Sequence, residues 1–240
     1  MTLLELITNA SSEKREESEI IKTTYKDKQT IIKKPNDFAS ALKEVEIVGF
    51  LNNKGFNTYR IINNEIVDSD GYVIYEYIDG IDGFSYLRDS TYFYNAGKII
   101  GLMHSYLNEY SLIKNENITY IHGDLHSGNI IVNKNNFYII DFSTIRKDWQ
   151  FIDLLNIEYE LCYEEDCELK RSKFIEGYLQ YSEIKYPNKA YVINNIMESD
   201  LDEYNRWEKR GWKISKYHNH LKYSVKNKQP TFIPIWLGNV

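Results

Sequence analysis

A chain of 240 residues with 42% apolar residues can bury a sizeable core, so a disordered tail is excluded. Its formal charge of −6 argues against general nucleic-acid affinity, which rests on clustered Lys and Arg facing phosphates. No apolar run approaches the roughly 20 residues of a membrane span. The N-terminal stretch MTLLELITNASSEKREESE has neither a basic leader nor a long apolar core, so a cytoplasmic protein is expected. Cys162 and Cys167 lack the paired spacing of a zinc or redox site and read as free thiols.

In chain order, the charged stretch SSEKREESE leads into IIKTTYK and QTIIKK, which read as a hairpin because β-branched residues flank the polar turn DK. Pro35 cannot donate to a ladder and stops the second strand, and Asn36 or Asp37 caps the helix that follows. That helix, DFASALKEVEIVGFLNNKG, places Phe38, Leu42, Val45, Val48, Phe50 and Leu51 at largely helical spacing and ends near Gly55. A third strand region, NTYRIINNEIVDSDGYVIYEYIDG, contains a hairpin at SDG and closes at Asp79-Gly80. TYFYNAGKIIGLMHSYLNEY then sets Ala96, Ile99, Ile100, Met103 and Leu107 on one stripe, the mark of a buried helix. Two short strands, NIIVN and FYIID, flank the turn KNN; the remainder reads as mainly helical, with an extended tail PTFIPIWLGNV. The order predicts an α+β, two-lobed chain: a small antiparallel sheet with one helix over residues 1–78, a connector near Ile78 to Asp82, and a mainly helical lobe over residues 79–240 with an inserted hairpin.

The chemistry concentrates in YIHGDLHSGNIIVNKNNFYIIDFS. Asp124 and Asn129 lie five residues apart around LHSG, where Ser127 and Gly128 break helix and strand alike, so both belong to a loop ending as NIIVN begins. Asp141 sits at the far end of the partner strand, and a hairpin returns its ends to the same edge, which brings Asn129 and Asp141 together. A carboxylate and a neutral amide supply oxygen ligands that suit Mg²⁺ bridged to substrate phosphates. Asp124 is then placed to take the proton of an attacking hydroxyl.

This segment resembles the catalytic loop and metal-binding segment of the aminoglycoside phosphotransferase and choline kinase group, relatives of the protein kinases. His-Gly-Asp, four residues, Asn, then a hairpin to Ile-Asp-Phe match position by position. The resemblance implies the two-lobed protein-kinase-like fold and a phosphotransferase using ATP and Mg²⁺ on a hydroxyl of a small molecule, with Asp124, Asn129 and Asp141 catalytic and Asn129 and Asp141 holding metal. It further implies a strand lysine on the nucleotide phosphates, assigned to Lys33, paired with a helix glutamate, assigned to Glu44. Lys34 competes with Lys33 but points to the opposite face of the strand. Glu46 competes with Glu44, which stands at the family's spacing of seven residues before Leu51. YVIYEYIDG resembles the hinge, with adenine expected at the Glu76 carbonyl and Ile78 amide and Tyr75 at the back of the pocket. Asp153 in DWQFIDLLNIE corresponds to the aspartate that braces the catalytic loop, a task shared by His122. His126 either approaches the γ-phosphate or acceptor or is a structural loop histidine.

Two departures stand out. The phosphate-covering loop, TNASSEKREESE, has no glycine, which leaves the amides and hydroxyls around Ser11 and Ser12 to cap the phosphates. Ser143 stands where protein kinases carry glycine. The acidic run EYELCYEEDCE reads as a solvated helix face in preference to the lining of a cleft for a cationic acceptor, and Trp207, Trp212 and Tyr217 read as core in preference to an aromatic wall. The alternatives are a compact atypical protein kinase or ATPase of the kind that accompanies a tRNA-modifying complex, and a nucleotide-binding pseudokinase.

Overall fold

The computed structural model describes residues 11–15, 18–25, 28–34, 38–62, 73–113, 119–161, 166–211 and 216–238. Pro35, Asn36, Asp37, the SDG turn, Cys162 and Trp212 lie outside them. The β-branched segments pair into one antiparallel sheet in the order β1 (Ser11–Arg15), β2 (Ser18–Tyr25), β3 (Lys28–Lys34) and β4 (Val73–Glu76). Ile32 stands opposite both Ile21 and Ile74, and all three are buried on one face. Strand alternation turns Ile31, Lys33 and Tyr75 to the other face, where they line a cleft.

The charged stretch before the hairpin is itself a strand. Ser11 and Ser12 pair with Lys22 and Ile21 in β1, so they do not belong to a loop over the phosphates; the connection between β1 and β2 is residues 16 and 17, outside the described residues. The strand carries a polar sequence because it occupies the edge of the sheet, where charged residues discourage further pairing.

Helix α1 (Phe38–Asn53) buries Ala41, Glu44, Ile47, Val48 and Leu51. The apolar stripe drawn from sequence is corrected here: Phe38 and Leu42 are about half exposed, because the face turned to the sheet and cleft is the one that carries Glu44. Past α1 the chain bridges the lobes. The Thr58 hydroxyl donates to the Ile139 carbonyl at 2.7 Å, and the Ile139 amide donates to the Asn57 carbonyl at 3.2 Å.

After β4 the chain enters the second lobe almost at once. β5 (Ile81–Asp82) pairs with β7 (Ile130–Asn133), which pairs with β8 (Asn136–Ile139); β6 (Tyr120–Ile121) pairs with β9 (Arg146–Lys147). Helices α2 (Ser90–Ile113), α3 (Phe151–Leu161), α4 (Cys167–Tyr178), α5 (Lys189–Arg210) and α6 (Lys216–Asn227) build the rest of this lobe. The stripe of Ala96, Ile99, Ile100, Met103 and Leu107 on α2 is buried throughout. The tail is extended except for a 3₁₀ turn at Ile235–Leu237, which buries Trp236 and Leu237.

Helices α2 and α4 cross at backbone contact. A Cβ at Gly97 would fall on the Phe174 carbonyl oxygen and one at Gly177 on the Tyr94 carbonyl oxygen, and neither backbone atom can swing away as a side chain does. Gly177→Ala is therefore expected to cost about 2–3 kcal/mol by overpacking. An unchanged denaturation midpoint in urea would show that the helices separate freely.

Candidate active site

The loop between β6 and β7 is held from beneath by one carboxylate. Asp153, in the first turn of α3 and fully buried, accepts from the backbone amides of His122 at 2.8 Å and Gly123 at 2.9 Å, and from His104 Nε2 at 3.0 Å. Burial pushes this carboxyl up, but the His104 hydrogen bond and charge, with the bond from the Gly123 amide, bring it below its ordinary range. Gly123 has φ +87°, and a Cβ there would strike the Thr144 carbonyl and the Arg146 guanidinium, which itself donates to the Gly123 carbonyl at 3.0 Å.

His122 ties this loop to the strand end that carries Asp141. Its Nε2 lies 2.9 Å from the Ile140 carbonyl, which can only accept, so Nε2 bears the proton and Nδ1 faces the Asp124 amide at 3.4 Å. Burial lowers the ring's proton affinity in spite of the neighbouring Asp153, which keeps it neutral and this tautomer in place.

Asn129 and Asp141 line the same cleft, of about 340 Å³. The Ile140 amide donates to the Asn129 carbonyl at 2.9 Å, closing the hairpin beside them. Asn129 Nδ2 donates to the Asp124 carbonyl at 2.8 Å; that partner can only accept, so the amide is fixed, and its Oδ1 has no donor among the described residues. Asp141 has φ 63°, an uncommon left-handed conformation for a residue other than glycine. Its Oδ1 takes the Lys33 ammonium and, at 2.6 Å, the Ser143 hydroxyl. Burial raises this carboxyl, and the Lys33 charge and hydrogen bond outweigh it, so the group lies below its ordinary range. Ser143 thus anchors the aspartate where a glycine could not.

Lys33 and Glu44 are buried and both line the cleft, whereas Glu46, the competitor of Glu44, is exposed and bonds Lys43. The direct ion pair expected between them is absent. Lys33 reaches Asp141 instead, and Glu44 accepts the Tyr59 hydroxyl, with Lys33 acting on it only through space. Burial raises Glu44, an effect that the Lys33 charge and the Tyr59 bond reduce without cancelling. At the hinge, Tyr77 N donates to Gln29 O at 3.0 Å, so the β3–β4 bonds fall on that pair and the neighbouring Glu76 turns its backbone away from β3; its amide meets Arg60 O at 2.8 Å. The Ile78 amide has no partner among the described residues, and Glu76, Ile78 and Tyr75 all line the cleft.

A second cavity, of about 650 Å³, opens on the other side of the loop. Asp124, exposed at its carboxylate, looks into it together with His126, Glu160, Asp202, Glu203 and Arg206, and Phe84, Tyr159 and Phe232 supply aromatic surface. His126 stacks on Phe84 with centroids 5.7 Å apart and takes the Gly128 amide on Nδ1 at 3.1 Å, leaving Nε2 3.9 Å from Asp124 Oδ2. Glu160 holds the loop from this side through Ser127, accepting its amide at 3.0 Å and its hydroxyl at 2.7 Å, and burial raises its carboxyl.

The acidic run is therefore divided and is not one solvated face. Glu158 is buried against Arg171, Tyr159 and Glu160 face the cavity, and Glu168 is exposed. Trp207 is half-buried and donates to Glu203 at 2.6 Å without lining the cavity. Sequence reasoning missed Phe84, Asp202, Glu203 and Phe232, which come together only through the packing of α3, α5 and the tail; the single local signal was Phe84, a large apolar residue in a polar turn.

The fold is the two-lobed one of the kinase-like phosphotransferases. A sequence model of the phosphotransferase enzyme family matches residues 111–188, the stretch that holds Asp124, Asn129, Asp141 and Asp153, and the resemblance to the aminoglycoside phosphotransferase and choline kinase group holds. No curated protein matches the sequence. The structure is similar to an amicoumacin kinase in complex with AMP-PNP, Ca²⁺ and Ami, with a TM-score of 0.73 at 14% identity over 97% of this chain and 92% of that one. It is similar also to a macrolide 2′-phosphotransferase from Brachybacterium faecium (TM-score 0.56, 10% identity, 92% of each chain). A spectinomycin phosphotransferase in complex with ADP and spectinomycin gives a TM-score of 0.55 at 14% identity over 92% of this chain and 90% of that one. At these identities the likeness is one of fold.

Proposed function

We propose that this chain transfers the γ-phosphate of ATP, with Mg²⁺, to a hydroxyl of an amine-bearing small molecule such as an amino sugar or amino alcohol. The observation that carries the reading is the division made by the loop: Asn129 and Asp141 face one cavity, and Asp124 faces the other. Residues 1–78 then serve as the nucleotide lobe and 79–240 as the catalytic and acceptor lobe, in a cytoplasmic protein. Among the described residues no helix is long and apolar enough to cross a membrane.

In this reading the Glu76 carbonyl and Ile78 amide hold adenine against Tyr75, and Lys33 neutralises the phosphates. The free Asn129 Oδ1 and the Asp141 carboxylate form a hard oxygen donor set that fits Mg²⁺. Asn129 and Asp141 would hold the ion, and its charge would offset that of the phosphates. Asp124 accepts the acceptor's hydroxyl proton as that oxygen bonds to the γ-phosphorus and the bond to the β-phosphate oxygen breaks, releasing ADP. Asp124, Glu160 and Asp202 give the acceptor cavity negative potential, while Glu203 is matched by Arg206 at 3.1 Å; an ammonium-bearing acceptor complements that field.

The test is incubation with labelled ATP and Mg²⁺ against kanamycin, spectinomycin, 1-amino-2-propanol, choline, glucose and casein. Label on an amine-bearing hydroxyl compound is the expected result. Label on casein alone would favour a compact protein kinase, and label on nothing a nucleotide-binding module. Asp141→Ala is expected to weaken Mg²⁺-dependent ATP binding by at least about 10- to 100-fold in calorimetry, the cost of losing even a partner that only supports a metal ligand; equal magnesium dependence in variant and wild type would remove Asp141 from the metal site.

A further inference from the structure

Asp200 is a fully buried carboxylate that takes no part in the chemistry just described. It lies on α5 between Ser199 and Asp202, two residues of the acceptor cavity, yet its own oxygens turn inward. Oδ1 accepts the Tyr159 hydroxyl at 3.1 Å and the Thr231 hydroxyl at 2.7 Å; Oδ2 accepts the Ser224 hydroxyl at 2.6 Å and the Thr231 amide at 2.8 Å. One side chain thus joins α3, α5, α6 and the tail. A second anchor follows in the tail: Arg171, paired with Glu158, donates to the Ile233 carbonyl, and the Ile235 amide donates to Glu158 at 3.2 Å.

Phe232 stands between these two anchors. Its ring packs edge-on to Tyr159 with centroids 5.8 Å apart, the Arg171 guanidinium covers it at 5.3 Å, and both aromatic residues line the cavity into which Asp124 looks. We propose that Asp200 is the positioning residue of the acceptor site, holding Tyr159 and the Thr231–Phe232 segment as its wall, and that Phe232 is a specificity-determining contact for the acceptor. This inference rests on the reading of that cavity as the acceptor site. None of Asp200's four donors belongs to a residue of the nucleotide cleft, so its effect is confined to the acceptor half.

Asp200→Ala tests it, because it removes the acceptor of all four hydrogen bonds at once, whereas an asparagine could turn its amide nitrogen to the Tyr159 and Thr231 hydroxyls, which can accept. The KM of the best acceptor in the panel above is expected to rise roughly tenfold while the KM for ATP stays within about twofold. Deuterium exchange in the tail, residues 229–237, is expected to quicken. Thr231→Val, which keeps the amide bond and loses only the hydroxyl bond, should move both readouts in the same direction by less. A merely structural carboxylate would lower the active fraction and leave the acceptor KM unchanged, and that result overturns the inference, as does unchanged tail exchange. Should no panel compound be phosphorylated by the wild type, the proposed function fails and the acceptor-site claim with it, while tail exchange still shows whether Asp200 holds the Thr231–Phe232 segment.

Discussion

Asp124→Ala is expected to lower phosphoryl transfer by about 10²–10⁴-fold, the range that removal of a positioned general base produces. Nucleotide affinity should survive, because the lost carboxylate points into the acceptor cavity and the contact that Asp124 makes to the nucleotide side is its backbone carbonyl on Asn129 Nδ2. An alanine keeps that carbonyl, so the amide of Asn129 stays oriented. Single-turnover transfer and ATP titration by calorimetry separate the two quantities. Wild-type transfer in the variant would end the assignment of Asp124 as base; a parallel loss of ATP binding would mean that the loop does not insulate the two cavities from each other.

The second large effect falls on stability. Asp153→Ala removes one buried acceptor and leaves the His122 and Gly123 amides and His104 Nε2 without their bonds. Breaking a buried charged network in this way costs about 3–5 kcal/mol, a large part of a domain's net stability. The pH dependence has a definite sign. The folded-state carboxyl lies below its ordinary range, so its contribution is complete above the unfolded value near 3.9 and disappears as pH falls through the lower folded value. Urea midpoints across the acid range should therefore fall more steeply for the wild type than for Asp153→Asn, which has no proton to bind there. Parallel acid limbs for the two proteins would show that Asp153 carries no such linkage.

How far the sequence disclosed this molecule depended on whether a residue's task was local. The hairpin from Ile130 to Ile139 and the helix stripe of Ala96 to Leu107 were legible, since period and turn chemistry lie within a short window. Strand alternation lets only one of Lys33 and Lys34 face the phosphates, and Lys33 lines the cleft. Where a residue answers to distant neighbours, pattern misled. Phe38 and Leu42 look like core on a helical wheel, but α1 turns Glu44 inward toward the cleft, and a buried carboxylate spoils the stripe it belongs to. The family resemblance puts Ser11 and Ser12 in a phosphate-covering loop, whereas they lie in an edge strand, which tolerates the charge of their neighbours well. The acceptor wall was illegible for another reason. Phe84, Tyr159, Asp202 and Phe232 are separated by up to 148 residues and become neighbours only when Asp200 gathers α3, α5 and the tail.

The contacts between the lobes are not spread evenly. Besides the hinge, Asn57 and Thr58 clasp Ile139 at the end of β8, Lys54 pairs with Glu109, and the Phe142 amide donates to the Tyr59 hydroxyl at 3.2 Å. The smaller lobe is thus pinned along its α1 side, and the Lys33 to Asp141 contact is the latch that closes it across the phosphate end of the cleft.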